Sequence, residues 1–265
     1  NNALKSGYDP VRRQWPDWMT TLDIPSGWLP EVVAPGSPIG TIQADLAKQF
    51  GFSPDTQLIA GTTDSTAAFL ATGACQPGEA VTSLGSTLVL KIICDTPVFD
   101  AESGVYSQPC GPYWLAGGGS NSGGKVLRDF FTDEQMADMQ SRLDIDHPTG
   151  LDYYPLPQTG ERFPINDPAM APRLTPRPKD DVQFFQGLLE GISNIELNGY
   201  QKLQQLGAPW PTSIRSVGGG AKNPQWTKLR QQTLNVPMLE PAHTDAAYGV
   251  ALLAKDSLKN KGDKT

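Results

Sequence analysis

Asp64 stands in the segment Gly61-Thr62-Thr63-Asp64-Ser65, after the apolar run 58–60 and before the small-residue stretch 66–71. That order reads as a strand, a turn and a helix start. Such a turn at the C-terminal edge of a sheet is where α/β proteins present side chains and helix N–H groups to ligands. A carboxylate placed there can take a proton from a substrate hydroxyl. Asp is also a preferred helix cap, so capping stands beside catalysis as a reading of these five residues.

Three further turns carry groups suited to phosphate. Residues 80–91 read as two β-rich runs joined by Gly85-Ser86-Thr87, a hairpin tip whose hydroxyls and unhindered backbone can wrap an anion. Residues 115–124 hold Gly117, Gly118, Gly119, Asn121, Gly123 and Gly124 ahead of a helix near 125–131, and residues 216–223 hold Gly218, Gly219, Gly220 and Asn223 ahead of Trp226. Each reads as a strand, a glycine turn and a helix start. Neither cluster has the GxxxxGK[ST] phosphate-loop pattern or the GxGxxG spacing of a dinucleotide site. Three such turns and one candidate base suggest a cleft for a polyphosphate nucleotide.

This constellation resembles the FGGY carbohydrate kinases, relatives of hexokinase, Hsp70 and actin, and within them the D-ribulose/xylulose kinase-like branch of cyanobacteria and plants. The resemblance rests on GTTDS at 61–65, PGEAVTSLGST at 77–87, GVYS at 104–107, LDYYPL at 151–156, GERFPI at 160–165, GGGAKN at 218–223 and HTDAAYG at 243–249. Their joint order spans almost the whole chain.

The resemblance implies an α/β fold: an actin-like (ribonuclease H-like) ATPase domain with a mixed five-stranded sheet flanked by helices, the C-terminal domain of a two-domain sugar kinase. It implies ATP and Mg²⁺ as cofactors and a small sugar as substrate, D-ribulose first, with xylulose and glycerol as alternatives. Asp64 matches the family's catalytic base. Gly85, Ser86 and Thr87 match its second phosphate motif, and Gly219, Gly220 and Asn223 its adenosine motif, with Trp226 beside the adenine or in the core. Asn121 and Gly124 fall in a turn beside the nucleotide. A non-catalytic nucleotide- or sugar-binding protein on the same fold is the rival reading; retention of Asp64 favours the enzyme.

One part of the family pattern has no counterpart here. The DxGTS-type phosphate hairpin that opens these kinases is absent, and the chain begins on Asn1-Asn2-Ala3-Leu4. Residues 1–40 are accordingly expected to be a connector from an N-terminal sugar-binding domain, and 41–265 the ATP-binding domain. An isolated C-terminal piece should not phosphorylate sugar on its own.

Composition narrows the field. With 265 residues and 38% hydrophobic content the chain can bury one large core and a small appendage. The 21 basic and 28 acidic residues give a net charge of −7, without a basic stripe interleaved with aromatics, so nucleic acid is not an expected partner. No apolar run reaches the roughly 18–20 residues that span a bilayer, so no membrane partner is expected either. Cys75, Cys94 and Cys110 lack a CxxC spacing and point to thiols in a reducing, cytoplasmic compartment, or a chloroplast for a plant source. His147 and His243 lack zinc-pair spacing, and no GxSxG elbow marks a hydrolase. Oligomeric state leaves no mark on the sequence.

The elements that must position these groups follow from periodicity. A helix is expected over 42–50, four antiparallel strands over 79–115, and a proline-rich surface excursion over 154–178, anchored by Phe163 and Ile165. Val182, Phe185, Leu188, Leu189, Ile192, Ile195 and Leu203 recur at helical spacing and mark a long core helix. The remainder alternates strand and helix, as in a largely parallel layer.

Overall fold

The computed structural model describes residues 2–259. The chain divides into two compact units, one built from residues 1–73, 108–112 and 242–265 and the other from 74–107 and 113–241.

The first unit begins with short 3-10 turns and reaches its first strand at β1 (Pro38–Thr41). Strand β1 pairs antiparallel with β2 (Gln57–Ile59), and α1 (Ala44–Phe50) lies between them in sequence, closed by Gly51 at φ 74°. A left-handed residue ends a helix cheaply when it has no β-carbon. Helix α2 (Asp64–Ala71) follows β2 and buries Ala67, Phe69 and Ala71. It packs on the last helix, α7 (Ala246–Lys259). The approach is so close that a β-carbon on Gly249 would overlap the Ala67 carbonyl oxygen. The Asp64 turn therefore closes a strand of a two-stranded sheet. The expected large sheet lies in the other unit.

The second unit is built on a six-stranded mixed sheet, one strand more than expected, ordered β5-β6-β4-β3-β7-β8. Strand β4 (Leu88–Cys94) pairs antiparallel with both β3 (Glu79–Leu84) and β6 (Tyr113–Ser120), while β7 (Ser213–Val217) and β8 (Met238–Leu239) add in parallel beyond β3. Strand β5 (Tyr106–Cys110) forms the far edge, and its residues 108–110 belong to the first unit. The parallel pairs need crossover connections, and the chain supplies helices for both. The 25-residue α5 (Asp181–Gln205) returns the chain to β7, and α6 (Pro224–Leu234) returns it to β8.

Helix α5 buries Phe185, Leu188, Leu189, Ile192, Ile195 and Leu203 from the expected stripe, with Val182 at its half-buried margin. Helices α3 (Gly124–Arg128) and α4 (Asp133–Gln140) follow β6, and Thr132 with Gln135 closes a capping box on α4. Residues 154–178 form no helix or strand of their own, as the prolines dictate. Phe163 bolts this excursion down: its ring is buried and occupies the space where β-carbons on Gly118 of β6 and Gly199 of α5 would sit. Ile165, expected as a second anchor, is 46% exposed.

Behind the sheet, Arg230 of α6 and Glu196 of α5 form a two-pronged ion pair, Nε–Oε2 and Nη2–Oε1 both 2.6 Å, at 0% and 1% side-chain exposure. The pair reaches both central parallel strands. The Thr82 hydroxyl donates to Glu196 Oε1 and Arg230 Nη1 donates to the Ser216 hydroxyl, each at 2.6 Å. β3 and β7 lead directly into the hairpin tip and the Gly218 turn.

Candidate active site

Asp64 is exposed and opens α2, with Thr63 at the N-cap position in an extended conformation (φ −70°, ψ 152°). Its Oδ1 accepts the Ser65 amide at 2.7 Å. The capping alternative fares poorly, because Asp64 lies inside the helix and the cap residue makes no side-chain cap bond. What fixes the turn is behind it. The Thr63 hydroxyl donates to Thr66 Oγ1 at 2.9 Å, and the Thr66 hydroxyl donates to Gln108 Oε1, all three side chains being buried. At the other end of α2, the amides of Ala242 and His243 donate to the carbonyls of Thr72 and Ala71, each at 3.0 Å. The result is a rigidly backed helix start with one outward carboxylate, at the end of a helix dipole that favours negative charge.

In the second unit the three glycine and hydroxyl turns come together backbone to backbone. The Gly124 amide donates to the Gly85 carbonyl at 2.8 Å, Lys125 to Ser86 at 3.1 Å, and Leu88 to Ser122 at 2.7 Å. A β-carbon on Gly123, whose φ is 144°, would stand 2.8 Å from Thr87 Cα, and one on Gly124 2.8 Å from the Gly85 oxygen. From the other side, a β-carbon on Gly218 (φ 90°) would stand 2.8 Å from the Leu84 oxygen and 3.1 Å from the Gly85 amide nitrogen. Contacts that short are closed to any side chain, so these glycines are what allows three turns to share one corner. Ser86 at the tip is exposed, as are Gly218 and Gly219, and Arg128 approaches Gly219.

Not every glycine of the clusters belongs to a turn. Gly117, Gly118 and Gly119 lie inside β6, against the Leu90 carbonyl, the Phe163 ring and the Arg162 guanidinium respectively. They are packing glycines in a strand, and the turn begins only at Asn121.

Asn223 caps α6, its Oδ1 accepting the amides of Gln225 and Trp226 at 3.0 Å each. Trp226 is 2% exposed, its indole N–H donating to the Ser193 hydroxyl at 3.1 Å. Its ring fills the space beneath Gly220, where a β-carbon would stand 2.5 Å from the indole. Of the two readings the sequence leaves open, this burial fits the core one, and the ring supports the Gly220 turn from beneath. Any nucleotide contact here would come from the glycine backbone.

Glu161 escaped sequence reasoning although it lies in the GERFPI motif. It sits in a proline-rich excursion, where a lone Glu ordinarily reads as a solvated charge. In the structure it is 2% exposed and faces the Asn121 turn. The group of three or more His, Cys, Asp or Glu that a protein-held metal ion would need does not occur among the described residues.

Residues 80–255 match the C-terminal domain of the FGGY family of carbohydrate kinases, and the chain belongs to that family. It is 26% identical to the L-fuculokinase of Salmonella typhi over 238 residues, covering 82% of this chain and 47% of that protein. It is 24% identical to the gluconokinase of Bacillus subtilis over 231 residues, covering 79% and 44%. The chain thus spans about half the length of the curated relatives it matches. Among solved structures it superposes on a xylulose kinase from Lactobacillus acidophilus with a TM-score of 0.81 at 22% identity, covering 96% of this chain and 54% of that one. The Plasmodium falciparum glycerol kinase with ADP gives 0.76 at 17% identity, covering 95% and 52%. The solved structures share the mixed α/β, actin-like fold, and none of these relatives singles out a branch of the family.

Proposed function

We propose that the protein transfers the γ-phosphoryl group of ATP to a hydroxyl of a small sugar, with Asp64 as general base. The observation that carries this reading is the corner of the second unit, where Gly85, Gly123, Gly124 and Gly218 bring three turns to backbone contact and leave no room for side chains. A polyphosphate is large, anionic and rich in acceptors, and bare backbone is what wraps it most closely. Gly85, Ser86, Thr87 and the Asn121–Gly124 turn take the phosphates in this account, and Gly219 and Gly220 the nucleoside. Mg²⁺ bound with ATP would supply charge neutralisation at the phosphate oxygens.

Phosphoryl transfer asks the protein mainly for position and charge stabilisation. Asp64 accepts the proton as the sugar oxygen forms its bond to the γ-phosphorus, and the bond to the ADP oxygen breaks. General-base assistance of this kind is worth about 10² to 10⁴ in rate. A ketopentose is the favoured acceptor, D-ribulose first, because the motif set resembles that branch. Fuculose, gluconate, xylulose and glycerol are the acceptors suggested by the names of relatives. Thiol-bearing cysteines support a cytoplasmic setting.

The test is Mg²⁺-dependent ADP release by the full-length natural protein with D-ribulose, D-xylulose, L-fuculose, gluconate and glycerol. One sugar raising the rate at least tenfold is the expected result. Tight ATP binding with no stimulation by any of the five would favour a non-catalytic binding protein on this fold.

A further inference from the structure

The three turns differ in how they are held. The hairpin tip is fixed by its own two strands, and the Gly218 turn by β7 and the Asn223 cap. The Asn121 turn leaves an edge-side strand and meets α3, a helix of only five residues. Its support comes from the Glu161 carboxylate. Oε1 accepts the Asn121 and Arg162 amides, each at 2.8 Å, and Oε2 accepts the Ser120 hydroxyl at 2.5 Å and the Tyr154 hydroxyl at 3.0 Å. Ser120 Oγ in turn accepts the Ser122 amide at 3.0 Å, and the Asn121 side-chain amide donates to the Gly160 carbonyl at 3.0 Å. The Asn121 and Ser122 amides, the Ser120 hydroxyl and the Asn121 side chain are thus tied, directly or through Ser120, to Glu161 or its neighbour Gly160.

Among the described residues no ion pair is formed by this carboxylate, in contrast to the Glu196–Arg230 pair deeper in the same unit. A charge buried on neutral donors alone costs desolvation that a hydrophobic residue would avoid. Stability by itself does not explain it. What the carboxylate supplies is two acceptor oxygens that fix the direction of a backbone amide and a hydroxyl within one turn, beside backbone contacts to Gly85 and Ser86.

We propose that Glu161 is a positioning residue for nucleotide binding: it sets the Asn121–Gly124 turn at the height where its backbone and that of the Gly85–Thr87 tip meet one phosphate chain. This rests on the nucleotide reading above. The excursion that carries Glu161 is thereby a strut for the phosphate corner, bolted to the core by Phe163 two residues on.

The test measures ADP affinity by calorimetry, with Mg²⁺, for the parent chain and for Glu161→Ala, Glu161→Gln and Tyr154→Phe, together with hydrogen exchange at the Asn121 amide without ADP. Glu161→Ala should weaken ADP at least tenfold and speed Asn121 exchange at least tenfold. Glu161→Gln should stay within about threefold of the parent, since its oxygen can replace Oε1 and both hydroxyls can turn to accept its amide. Tyr154→Phe removes a donor that does not touch the turn and should stay within twofold. If Glu161→Ala does not fold, Ser120→Ala removes only the arm to the turn and should weaken ADP by threefold or more. A folded Glu161→Ala, or Ser120→Ala in its place, with parental ADP affinity overturns the proposal. A parent that fails to bind ADP overturns the nucleotide reading and this role with it. The exchange data then show separately whether Glu161 holds the turn.

Discussion

The Asp64 turn and the glycine corner solve opposite problems. Asp64 must present one side chain outward, so its turn is built from side chains: Thr63, Thr66 and Gln108 bond behind it, and helix α7 presses on α2. The glycine corner must present backbone, so its precision comes from the absence of side chains and from what holds the strands beneath. A catalytic carboxylate can be supported from outside its own turn. A backbone site has to be supported from within the core, and the second unit accordingly carries two buried carboxylates, Glu196 and Glu161, where the Asp64 turn displays its carboxylate in solvent.

If the corner depends on its core, breaking the buried ion pair should cost most. Arg230→Leu leaves Glu196 buried and uncompensated, and should lower unfolding stability by about 3–5 kcal/mol in a denaturant titration. In the other unit the weak point is helix contact. Gly249→Ala drives a methyl into the Ala67 carbonyl, and should cost about 1–3 kcal/mol by the same titration and slow turnover through displaced α2.

A smaller effect, set by pH, belongs to Glu79, which joins β3 to Arg215 of β7 at 2.8 Å. Burial pushes its carboxyl up, but the Cys75 amide, the Arg215 guanidinium and the Gln76 amide together outweigh that and hold it below the ordinary value of 4.5. A depressed carboxylate adds stability that is present above its unfolded pKa and lost as pH falls through the folded one. Glu79→Gln should therefore lower Tm at pH 7, and the gap from the parent should close as the pH is taken down below about 4.5. The smallest expected change is at Ser122, whose buried hydroxyl has no hydrogen-bond partner among the described residues. Ser122→Ala removes that group and should leave unfolding stability unchanged or raised by about 1 kcal/mol or less in a denaturant titration.

What the sequence disclosed follows the same division. Asp64 stands out in the sequence because it lies where a strand turns into a helix, although those five residues alone suit a cap as well as a base. The α5 stripe is plain, since a helical period sustained along a 25-residue helix leaves little ambiguity. Glycine carries no such signature. Gly123, Gly124 and Gly218 permit turns, while Gly117, Gly118, Gly199 and Gly249 accept a neighbour's atoms, and only the partner across the gap tells them apart. Trp226 stands open between the adenine side and the core for the same reason, because Ser193, which accepts its N–H, lies some thirty residues away in sequence. Glu161 was hidden by its setting, because its partners at 120 and 121 are about forty residues distant. The count of five strands comes from the resemblance, whereas the residue pattern itself marks strands over 79–115, 213–217 and 236–239; the sheet has six, with the short β5 and the two-residue β8 at its edges.

The most direct test crosses the two regions in the full-length protein, measuring turnover and ADP affinity for Asp64→Asn and Gly124→Ala. The account predicts that Asp64→Asn loses about 10² to 10⁴ in kcat with ADP affinity within threefold of the parent. It predicts that Gly124→Ala, which pushes a methyl at the Gly85 carbonyl, weakens ADP at least tenfold. An Asp64→Asn variant with parental kcat would contradict it.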